Sequence, residues 1–267
     1  MDTERIYALI TGGSRGIGKS IARECAGRGM DLLLVAKRGE GLRAVAEELK
    51  AEFQVDVHFL AVDLRDPDGP QMVWDWCQKE GYRVNILVNN AGVAGTSSFQ
   101  KSIPEYSDER ILVNVRALVL LSHYFLSELK SHSRAYILNI GSLSAYFPIA
   151  YKSVYSSSKA FVLSFSRALK QELKNSNVSI TVINPNGVRT NADTHARIDS
   201  HSKLSTRLFI QDSNEIARIA VDNMLKGKLV VVPGVLNRFL VMLSWIMPNR
   251  IRDRLAAGIF GSELPDK

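Results

Sequence analysis

The sequence contains few cysteines. There are two among 267 residues, Cys25 and Cys77, and their spacing is not that of metal ligands. This excludes a small fold held together by disulfides, and we expect no metal site. Both cysteines lie in segments with helical patterns, so we expect buried free thiols. A reducing, cytoplasmic setting follows as an expectation.

Long runs of one charge are also lacking. The chain carries 34 Lys and Arg against 27 Asp and Glu, a net charge of +7, but no five basic residues stand together. A basic excess can serve nucleic acid, anionic membranes or phosphorylated ligands. No motif supports a nucleic-acid partner. With 46% hydrophobic and 23% charged residues, the composition is that of a globular protein and excludes a disordered tail, a collagen-like fibre or a coiled-coil rod.

Clear membrane signals are scarce. Residues 1–5 are charged and lead directly into a short strand pattern, so we expect no signal peptide. Residues 229–247 are almost wholly apolar, but Pro233-Gly234 and Arg238 interrupt them. A spanning helix needs about 20 apolar residues with few or no charges. We interpret this stretch as a strand, a turn and an amphipathic helix.

Strand and helix patterns alternate along the chain. Seven apolar strands are predicted at residues 6–10, 31–36, 55–62, 84–88, 135–140, 178–183 and 229–232. Helices are predicted at residues 17–28 and 41–53, from Pro67 onward, within 104–132, and at 154–175 and 215–226. Continuous apolar strands with helical crossovers indicate an α/β fold, a doubly wound parallel sheet covered on both faces. With no linker composition, we expect one domain over residues 1–267.

Two segments add to this pattern. Residues 189–211 are polar, contain no clear strand and follow the sixth strand, so they are predicted to form a substrate lid. Residues 235–260 are predicted as a C-terminal helical extension. Three interpretations of that extension stay open: it caps the pocket or a dimer interface, it lies on a membrane face, or it spans a membrane.

A glycine-rich loop joins the first strand to the first helix. Gly12 can take the tight turn, Gly16 lets the backbone approach a pyrophosphate, and Gly18 lets helix and strand pack closely. Free N–H groups at a helix start attract phosphate. The predicted dinucleotide-binding residues of the loop are Gly12, Ser14, Arg15, Gly16, Ile17 and Gly18.

The end of the second strand bears on the choice of cofactor. An acidic residue there holds the ribose of NAD, whereas Arg accommodates the 2′-phosphate of NADP. Here Lys37 and Arg38 follow the strand, with no carboxylate before Glu40. Together with Arg15 they favour NADP(H); the alternative is that they are solvated surface cations.

Four further polar residues form a candidate catalytic set. Tyr155 and Lys159 are four apart at the start of a helix, on one face. Ser142 follows the fifth strand, at the edge where ligands of such sheets bind. Asn114 lies in the preceding long helical stretch, and Asn89-Asn90-Ala91-Gly92 follows the fourth strand.

Taken together, these motifs resemble the short-chain dehydrogenase/reductase family over residues 5–232. The resemblance rests on the glycine loop, the Asn-Asn-Ala-Gly segment, Asn114, and Ser142 thirteen residues before Tyr155 and its Lys159. It implies a Rossmann-type fold and a homodimer or homotetramer built through residues 154–175 and 215–226. It also assigns further cofactor contacts to Asp63, Leu64, Asn90, Ala91, Gly92, Pro185, Val188 and Thr190, besides Tyr155 and Lys159.

The resemblance also implies a mechanism. A substrate carbonyl accepts hydride from the nicotinamide, Tyr155 donates a proton to its oxygen, and Ser142 hydrogen-bonds that oxygen. Lys159 and the oxidised nicotinamide would lower the pKa of Tyr155; a shift of about 3 units needs roughly 4 kcal/mol. Asn114 would hold a water that links Lys159 to solvent.

The substrate pocket is predicted between Ser142 and Tyr155. The lining residues expected there are Ser144, Tyr146, Phe147 and Tyr151. Because they are mostly aromatic, they favour a lipophilic substrate, unless they belong to the core. Ser144 is the alternative active hydroxyl if the register differs. A 3-oxoacyl or ketosphinganine-type reductase, a hydroxysteroid dehydrogenase and a non-catalytic NADP-binding regulator all stay open.

Overall fold

The computed structural model describes residues 5, 7–189, 211–248, 250, 251 and 253. In these residues the strands are β1 (Tyr7–Thr11), β2 (Asp31–Ala36), β3 (Val57–Ala61), β4 (Val84–Asn89), β5 (Ala135–Ile140), β6 (Val178–Ile183), β7 (Val188–Arg189), β8 (Gln211–Asp212) and β9 (Val230–Val231). Seven of them form one sheet in the order β3-β2-β1-β4-β5-β6-β9, and β7 pairs with β8. Every neighbouring pair is parallel. The predicted doubly wound parallel sheet is confirmed.

Eight helices connect the strands in the described part of the chain. They are α1 (Gly16–Ala26), α2 (Gly39–Phe53), α3 (Gly69–Glu80), α4 (Pro104–Ile111), α5 (Ala117–Ser131), α6 (Ser153–Glu172), α7 (Ser213–Leu225) and α8 (Val235–Ile246). A π-helical turn, Leu112–Arg116, joins α4 to α5, and a 3₁₀ turn, Leu143–Tyr146, follows β5. The sheet therefore has helices on both faces, as in a Rossmann-type fold.

The alternation of side chains along each strand builds two core layers. In β2, Leu32 and Leu34 pack with α1, α2 and α7, whereas Leu33 and Val35 pack with α3 and α5. Successive side chains of a strand point to opposite faces, so a strand covered on both faces must be apolar throughout. This explains the continuous apolar runs in the sequence.

The two cysteines lie one in each layer. Cys25 belongs to the layer around α1, and Cys77 to the layer around α3. Both are buried free thiols, as expected, and burial raises the pKa of each to about 12. At neutral pH they are inert thiols, because only a thiolate reacts as a nucleophile.

Several boundaries differ from the sequence prediction. Helix α3 begins at Gly69 and has Pro70, not Pro67, in its first turn. Proline is favoured in the first turn of a helix, so the sequence alone could not choose between the two prolines. The long helix predicted at 104–132 is interrupted by the π-helical turn that contains Asn114. The segment predicted to lack strands begins and ends in the paired strands β7 and β8, which are too short to show a periodic pattern. Most of this predicted lid, residues 190–210, lies outside the described residues.

One helical run passes a test for membrane spans. Residues 104–131 are long and apolar enough to cross a bilayer by length and composition alone. However, Leu121, Phe125 and Leu129 are fully buried against the sheet. A core helix of a protein passes the same test. Helix α8 is apolar but shorter, with 12 residues.

Candidate active site

The glycine loop between β1 and α1 has the geometry of a phosphate cradle. Gly12 and Gly16 both adopt positive φ, +69° and +55°. A Cβ on Gly18 would collide with the Gly12 carbonyl oxygen, so only glycine fits there. Arg15, the N-cap of α1, makes no side-chain cap, and the first turn carries no acidic residue. The first N–H groups of α1 therefore remain available to an anion, and the loop fits a pyrophosphate.

The segment after β4 is tied to this loop. The Asn90 side-chain amide donates to the carbonyls of Thr11 and Gly12, at 2.8 and 3.2 Å. The Thr11 hydroxyl accepts from the backbone N–H groups of Asn90 and Ala91, each at 3.0 Å. The structure thus brings the predicted cofactor residues of the Asn-Asn-Ala-Gly segment to the glycine loop.

Two cationic side chains follow β2 at the same edge of the sheet, and one of them already forms an ion pair. Lys37 and Arg38 are exposed after β2, and a Cβ on Gly41 would lie 3.6 Å from Ser14, so this turn faces the glycine loop. Lys37 Nζ pairs with Asp63 Oδ2 at 3.0 Å. The expected contact of Lys37 with a 2′-phosphate stays a prediction, and in this structure its exposed ammonium group pairs with a carboxylate that follows the neighbouring strand.

Asp63 has two cationic neighbours. Arg65 donates a bidentate hydrogen bond to it, with Nη2 at 2.6 Å from Oδ2, and this bond is the main cause that holds the pKa of Asp63 well below its usual range. Lys37 adds to the shift. Leu64, the next residue, is buried in the core. These two predicted cofactor contacts are thus a carboxylate paired with cations and a core side chain.

Ser142, Tyr155 and Lys159 come together at the carboxyl end of β5. The side chain of Ser142 lies next to that of Tyr155, close enough to act on its ionisation. Lys159 Nζ donates to the carbonyl of Ile140 at 2.8 Å and lies 5.9 Å from the centre of the Tyr155 ring. The structure therefore brings these three side chains together at one edge of the sheet, and their catalytic roles stay predictions.

Burial controls the ionisation of the pair. It raises the pKa of Tyr155, and the neighbouring Ser142 side chain acts in the opposite direction. Burial also lowers the pKa of Lys159 to about 8. The expected lowering of the Tyr155 pKa involves the oxidised nicotinamide as well as Lys159, and it stays a prediction for the protein with its cofactor. Both shifts have the same main cause, because the charged form of each group loses hydration in the interior.

Asn114 acts as a clamp in the π-helical turn. Its Oδ1 accepts from the Val93 N–H at 2.7 Å, and its Nδ2 donates to the Val93 carbonyl and the Ser158 hydroxyl, each at 3.0 Å. A Cβ on Gly92 would lie 3.4 Å from Asn114 Oδ1 and 3.5 Å from Lys159 Nζ. Asn114 therefore stands beside Lys159, with a side chain already hydrogen-bonded. Its role in holding a water stays a prediction.

The predicted substrate residues divide between core and surface. Ser144 is buried, and its N–H donates to Ser142 Oγ at 3.2 Å. Tyr146 packs on the core cluster between α5 and α6. This agrees with the alternative that some of these residues belong to the core. Phe147 is half-buried. Tyr151 is exposed, at a φ of +65°.

The segment after β6 lies beside Ser142. The Pro185 carbonyl accepts from the Leu143 N–H at 2.8 Å, and Val188 begins β7. Thr190, the other predicted contact here, lies outside the described residues.

Two polar residues that shape the site were not predicted from the sequence. Asn184 Oδ1 accepts from the Ser142 N–H at 3.2 Å and fixes the start of the 3₁₀ turn. Its place directly after β6, at the ligand edge of the sheet, was the available signal. Arg110 is buried and lines a small cavity next to Tyr155. No pattern in the sequence marked it, because its neighbours come from distant segments.

Known proteins share both the pattern and the fold. The family model of the short chain dehydrogenases matches residues 7–201. A very-long-chain 3-oxoacyl-CoA reductase-A of Danio rerio is 34% identical over 69% of this chain and 58% of its own length. The match thus leaves about two fifths of that relative uncovered. The 17-beta-hydroxysteroid dehydrogenase type 3 of Homo sapiens is 30% identical over 85% of this chain and 76% of its own.

A solved structure agrees with these matches. A short-chain dehydrogenase from Sphingobium yanoikuyae in complex with NADPH superposes with a TM-score of 0.79 and 31% identity. The superposition covers 91% of this chain and 93% of that one.

Proposed function

The chain belongs to the short-chain dehydrogenase family, and from its site we propose that it is an NADP(H)-dependent oxidoreductase that interconverts a ketone and a secondary alcohol. The observation that carries this proposal is the meeting of Ser142, Tyr155 and Lys159 at the carboxyl end of β5. An intact set disfavours a non-catalytic NADP-binding regulator on the same fold.

The chain's own residues supply acid–base chemistry and position. The raised pKa of Tyr155 keeps its hydroxyl protonated at neutral pH, so it can give a proton to a carbonyl oxygen. Ser142 can donate to the same oxygen as charge develops there. Lys159, held by the Ile140 carbonyl, places a cation below the ring. When bound, the dinucleotide supplies the hydride.

The proposed cofactor contacts come mostly from segments that follow the strands of the sheet. They comprise Gly12, Ser14, Arg15, Gly16, Ile17, Gly18, Lys37, Arg38, Asp63, Leu64, Asn90, Ala91, Gly92, Tyr155, Lys159, Pro185, Val188 and Thr190. NADP(H) is preferred in this proposal because cations follow β2, and because the Sphingobium structure contains NADPH.

Arg38→Ala is expected to raise the KM for NADPH about 10- to 100-fold and to leave the KM for NADH within about threefold. A hydrogen bond to a charged group contributes about 1.5–3 kcal/mol, which sets the size of the effect. Lys37 is the weaker test because it already pairs with Asp63. Arg134→Ala, an exposed arginine just before β5, serves as control. Equal losses with both nucleotides would contradict the assignment.

We propose a lipophilic substrate, of the 3-oxoacyl or ketosphinganine-like kind, with a hydroxysteroid as the alternative. The relatives named above support both. Oxidation of NADPH, followed at 340 nm against a panel of acyl, sphingoid and steroid ketones, separates them. Measured NADPH binding without turnover of any ketone would favour the non-catalytic alternative.

Helix α8 supports a peripheral membrane contact. Its Asn237, Val241 and Ser244 are buried, and it packs beside the 3₁₀ turn that follows Ser142. Its outer residues are apolar: Val235, Trp245 and Ile246 are 80, 75 and 77% exposed. Twelve residues are too few to span a bilayer, for which about 20 are needed. Of the three interpretations, we propose the one in which this face lies on an anionic membrane, with the exposed Arg238 and Arg250 beside it.

Vesicle binding tests this contact. We expect the protein to co-sediment with vesicles that contain anionic lipid, and Trp245→Ser with Ile246→Ser to reduce binding at least tenfold. Phe99→Ser, an exposed apolar residue elsewhere, is the matched control. If the double variant binds normally, or if light scattering shows that it only dissociates a dimer, the membrane proposal is wrong.

We also retain the proposal of a homodimer or homotetramer. Phe161 on α6 and Ile111 on α4 are exposed apolar side chains, which supports an interface there. Helix α7, the other predicted element, buries its apolar face on α1 and exposes polar residues such as Glu215 and Arg218. The support is therefore stronger for α6, and the mass in solution decides.

A further inference from the structure

A chain of charged side chains connects the end of β2 to helix α4, and it includes one of the cations proposed to contact the 2′-phosphate. Lys37, which follows β2, pairs with Asp63, which follows β3, at 3.0 Å between Nζ and Oδ2. Arg65 binds the same carboxylate, and its Nη1 lies 3.2 Å from Oε1 of Glu109 on α4. Arg65 has no part in the function proposed above, although it stands within this chain.

The two cations hold Asp63 in different ways. The Nε of Arg65 lies 3.0 Å from both carboxylate oxygens, and its Nη2 lies 2.6 Å from Oδ2. The backbone N–H of Arg65 also donates to Oδ1, at 3.1 Å. Lys37 makes its ion pair at Oδ2, and its side chain is 56% exposed, against 37% for Arg65. An exposed lysine pair is weaker than a forked arginine pair, so Lys37 is the partner that can leave the carboxylate more easily.

The carboxylate of Asp63 opposes any phosphate that approaches Lys37. It stays ionised at neutral pH, because the hydrogen bond from Arg65 holds the pKa of Asp63 well below its usual range. An ionised carboxylate 3.0 Å from a lysine competes with a phosphate for that lysine and repels the phosphate as well. Asp63 therefore needs another counter-charge if Lys37 is to bind a 2′-phosphate.

Arg65 is placed to supply that counter-charge. When Lys37 leaves, the carboxylate keeps the hydrogen bonds from the side chain and the backbone N–H of Arg65. Glu109 accepts from the guanidinium on the side of α4, which fixes the direction of the fork. The bidentate geometry suits a carboxylate and is not available to a lysine. The carboxylate is thus already paired before a nucleotide arrives.

We propose that Arg65 determines specificity for NADP(H) by binding the carboxylate of Asp63, so that Lys37 is free to bind the 2′-phosphate. Arg65 acts through Asp63 and is not itself a ligand of the phosphate. The inference rests on the proposed function, because it concerns the cofactor of that site, but it is a statement about binding and not about turnover.

Two nucleotide fragments isolate the contribution of the 2′-phosphate. Adenosine 2′,5′-bisphosphate carries this group and AMP lacks it, and neither fragment takes part in hydride transfer. Calorimetry of the wild type is expected to show a Kd for the bisphosphate at least about 30-fold below that for AMP. Arg65→Met should reduce this ratio about tenfold, which corresponds to about 1.4 kcal/mol, and leave the Kd for AMP within about threefold. Arg83→Met removes an exposed arginine just before β4, at the opposite edge of the sheet, and is the matched control.

A second variant shows whether Arg65 acts through Asp63. Asp63→Asn removes the competing charge, so its ratio of the two Kd values is expected to equal or exceed that of the wild type. In this background, adding Arg65→Met should change the ratio by less than about twofold. If the tenfold loss persists there, Arg65 contacts the phosphate itself and the inference is wrong. An unchanged ratio in Arg65→Met alone would equally overturn it.

These outcomes can be told apart from a failure of the proposed function. A wild type that binds the bisphosphate no better than AMP would refute the preference for NADP(H), and the inference with it. A wild type that prefers the bisphosphate but reduces no ketone would refute the oxidoreductase and leave the role of Arg65 standing. If the wild type shows both the preference and the reduction, and Arg65→Met keeps the preference, only the inference fails. Arg65 would then only tie the turn after β3 to α4.

Discussion

Replacing Tyr155 by phenylalanine is expected to lower kcat for ketone reduction about 10³-fold, with the affinity for NADPH unchanged within about twofold. Positioned acid–base groups contribute about 10²- to 10⁴-fold to rates, and this variant removes only the hydroxyl. The ring is partly buried and retains its packing in the variant. Stopped-flow and steady-state oxidation at 340 nm measure kcat, and nucleotide fluorescence measures the affinity.

The two serines near Tyr155 provide a matched control. The side chain of Ser142 lies next to that of Tyr155 and acts on its ionisation, whereas Ser144 lies two residues later and directs its N–H, not its hydroxyl, to Ser142. Ser142→Ala should therefore lower kcat about 10²-fold, and Ser144→Ala should leave it within about threefold. The reverse order would make Ser144 the active hydroxyl. A Tyr155→Phe variant with more than a tenth of the original kcat would refute the proposed proton donor.

The direction of the Tyr155 pKa shift predicts how the reaction rates depend on pH. Because burial raises this pKa, the hydroxyl stays protonated through neutral pH. Reduction needs the protonated form, and alcohol oxidation needs the deprotonated form. The reductive rate is therefore expected to stay flat as the pH falls from 8 to 6, while the oxidative rate falls.

Much of the fold could be predicted because its strands are buried on both faces. The strands β2, β5 and β6 have the predicted bounds, since a continuous apolar run leaves little choice of element or register. The two-residue strands β7 and β8 could not be predicted, because two residues show no period. The π-helical turn at Asn114 also escaped, because it depends on contacts with the Val93 backbone.

The residues of the candidate site also fall into those that the sequence could predict and those that it could not. The glycine loop, Ser142, Tyr155 and Lys159 were predictable because each lies next to a strand end or within one helix turn of its partner. Asn184 and Arg110 were not, because their hydrogen bonds join segments 16 to 42 residues apart. The direction of the Tyr155 pKa shift depends on burial, which only the folded chain defines.

Lys159→Met is expected to stabilise the protein at pH 7 and to inactivate it. The pKa of Lys159 is lowered from 10.5 to about 8 by burial. At pH 7 the unfolded chain carries this charge freely, while the folded chain holds it desolvated, at a cost of about 3 kcal/mol. Methionine removes the cost but leaves the Ile140 carbonyl without its donor, which costs about 1–2 kcal/mol. The net gain is about 1–2 kcal/mol, or several degrees in Tm.

The difference in the free energy of unfolding between the wild type and Lys159→Met should depend on pH. This dependence shows whether the difference comes from the desolvated charge or from a change in packing. Between pH 8 and 10.5 the unfolded state binds more protons at Lys159 than the folded state, so the wild type gains stability as the pH rises. Its free energy of unfolding should rise relative to the variant by about 2–3 kcal/mol between pH 7 and 10, and reverse the order of the two proteins. Denaturant unfolding at both pH values measures this, with Lys130→Met on the exposed side of α5 as control. A constant difference would mean that Lys159 is not held as a desolvated cation. The site then could not use it as proposed, because a cation beside Tyr155 helps catalysis only where water does not screen it.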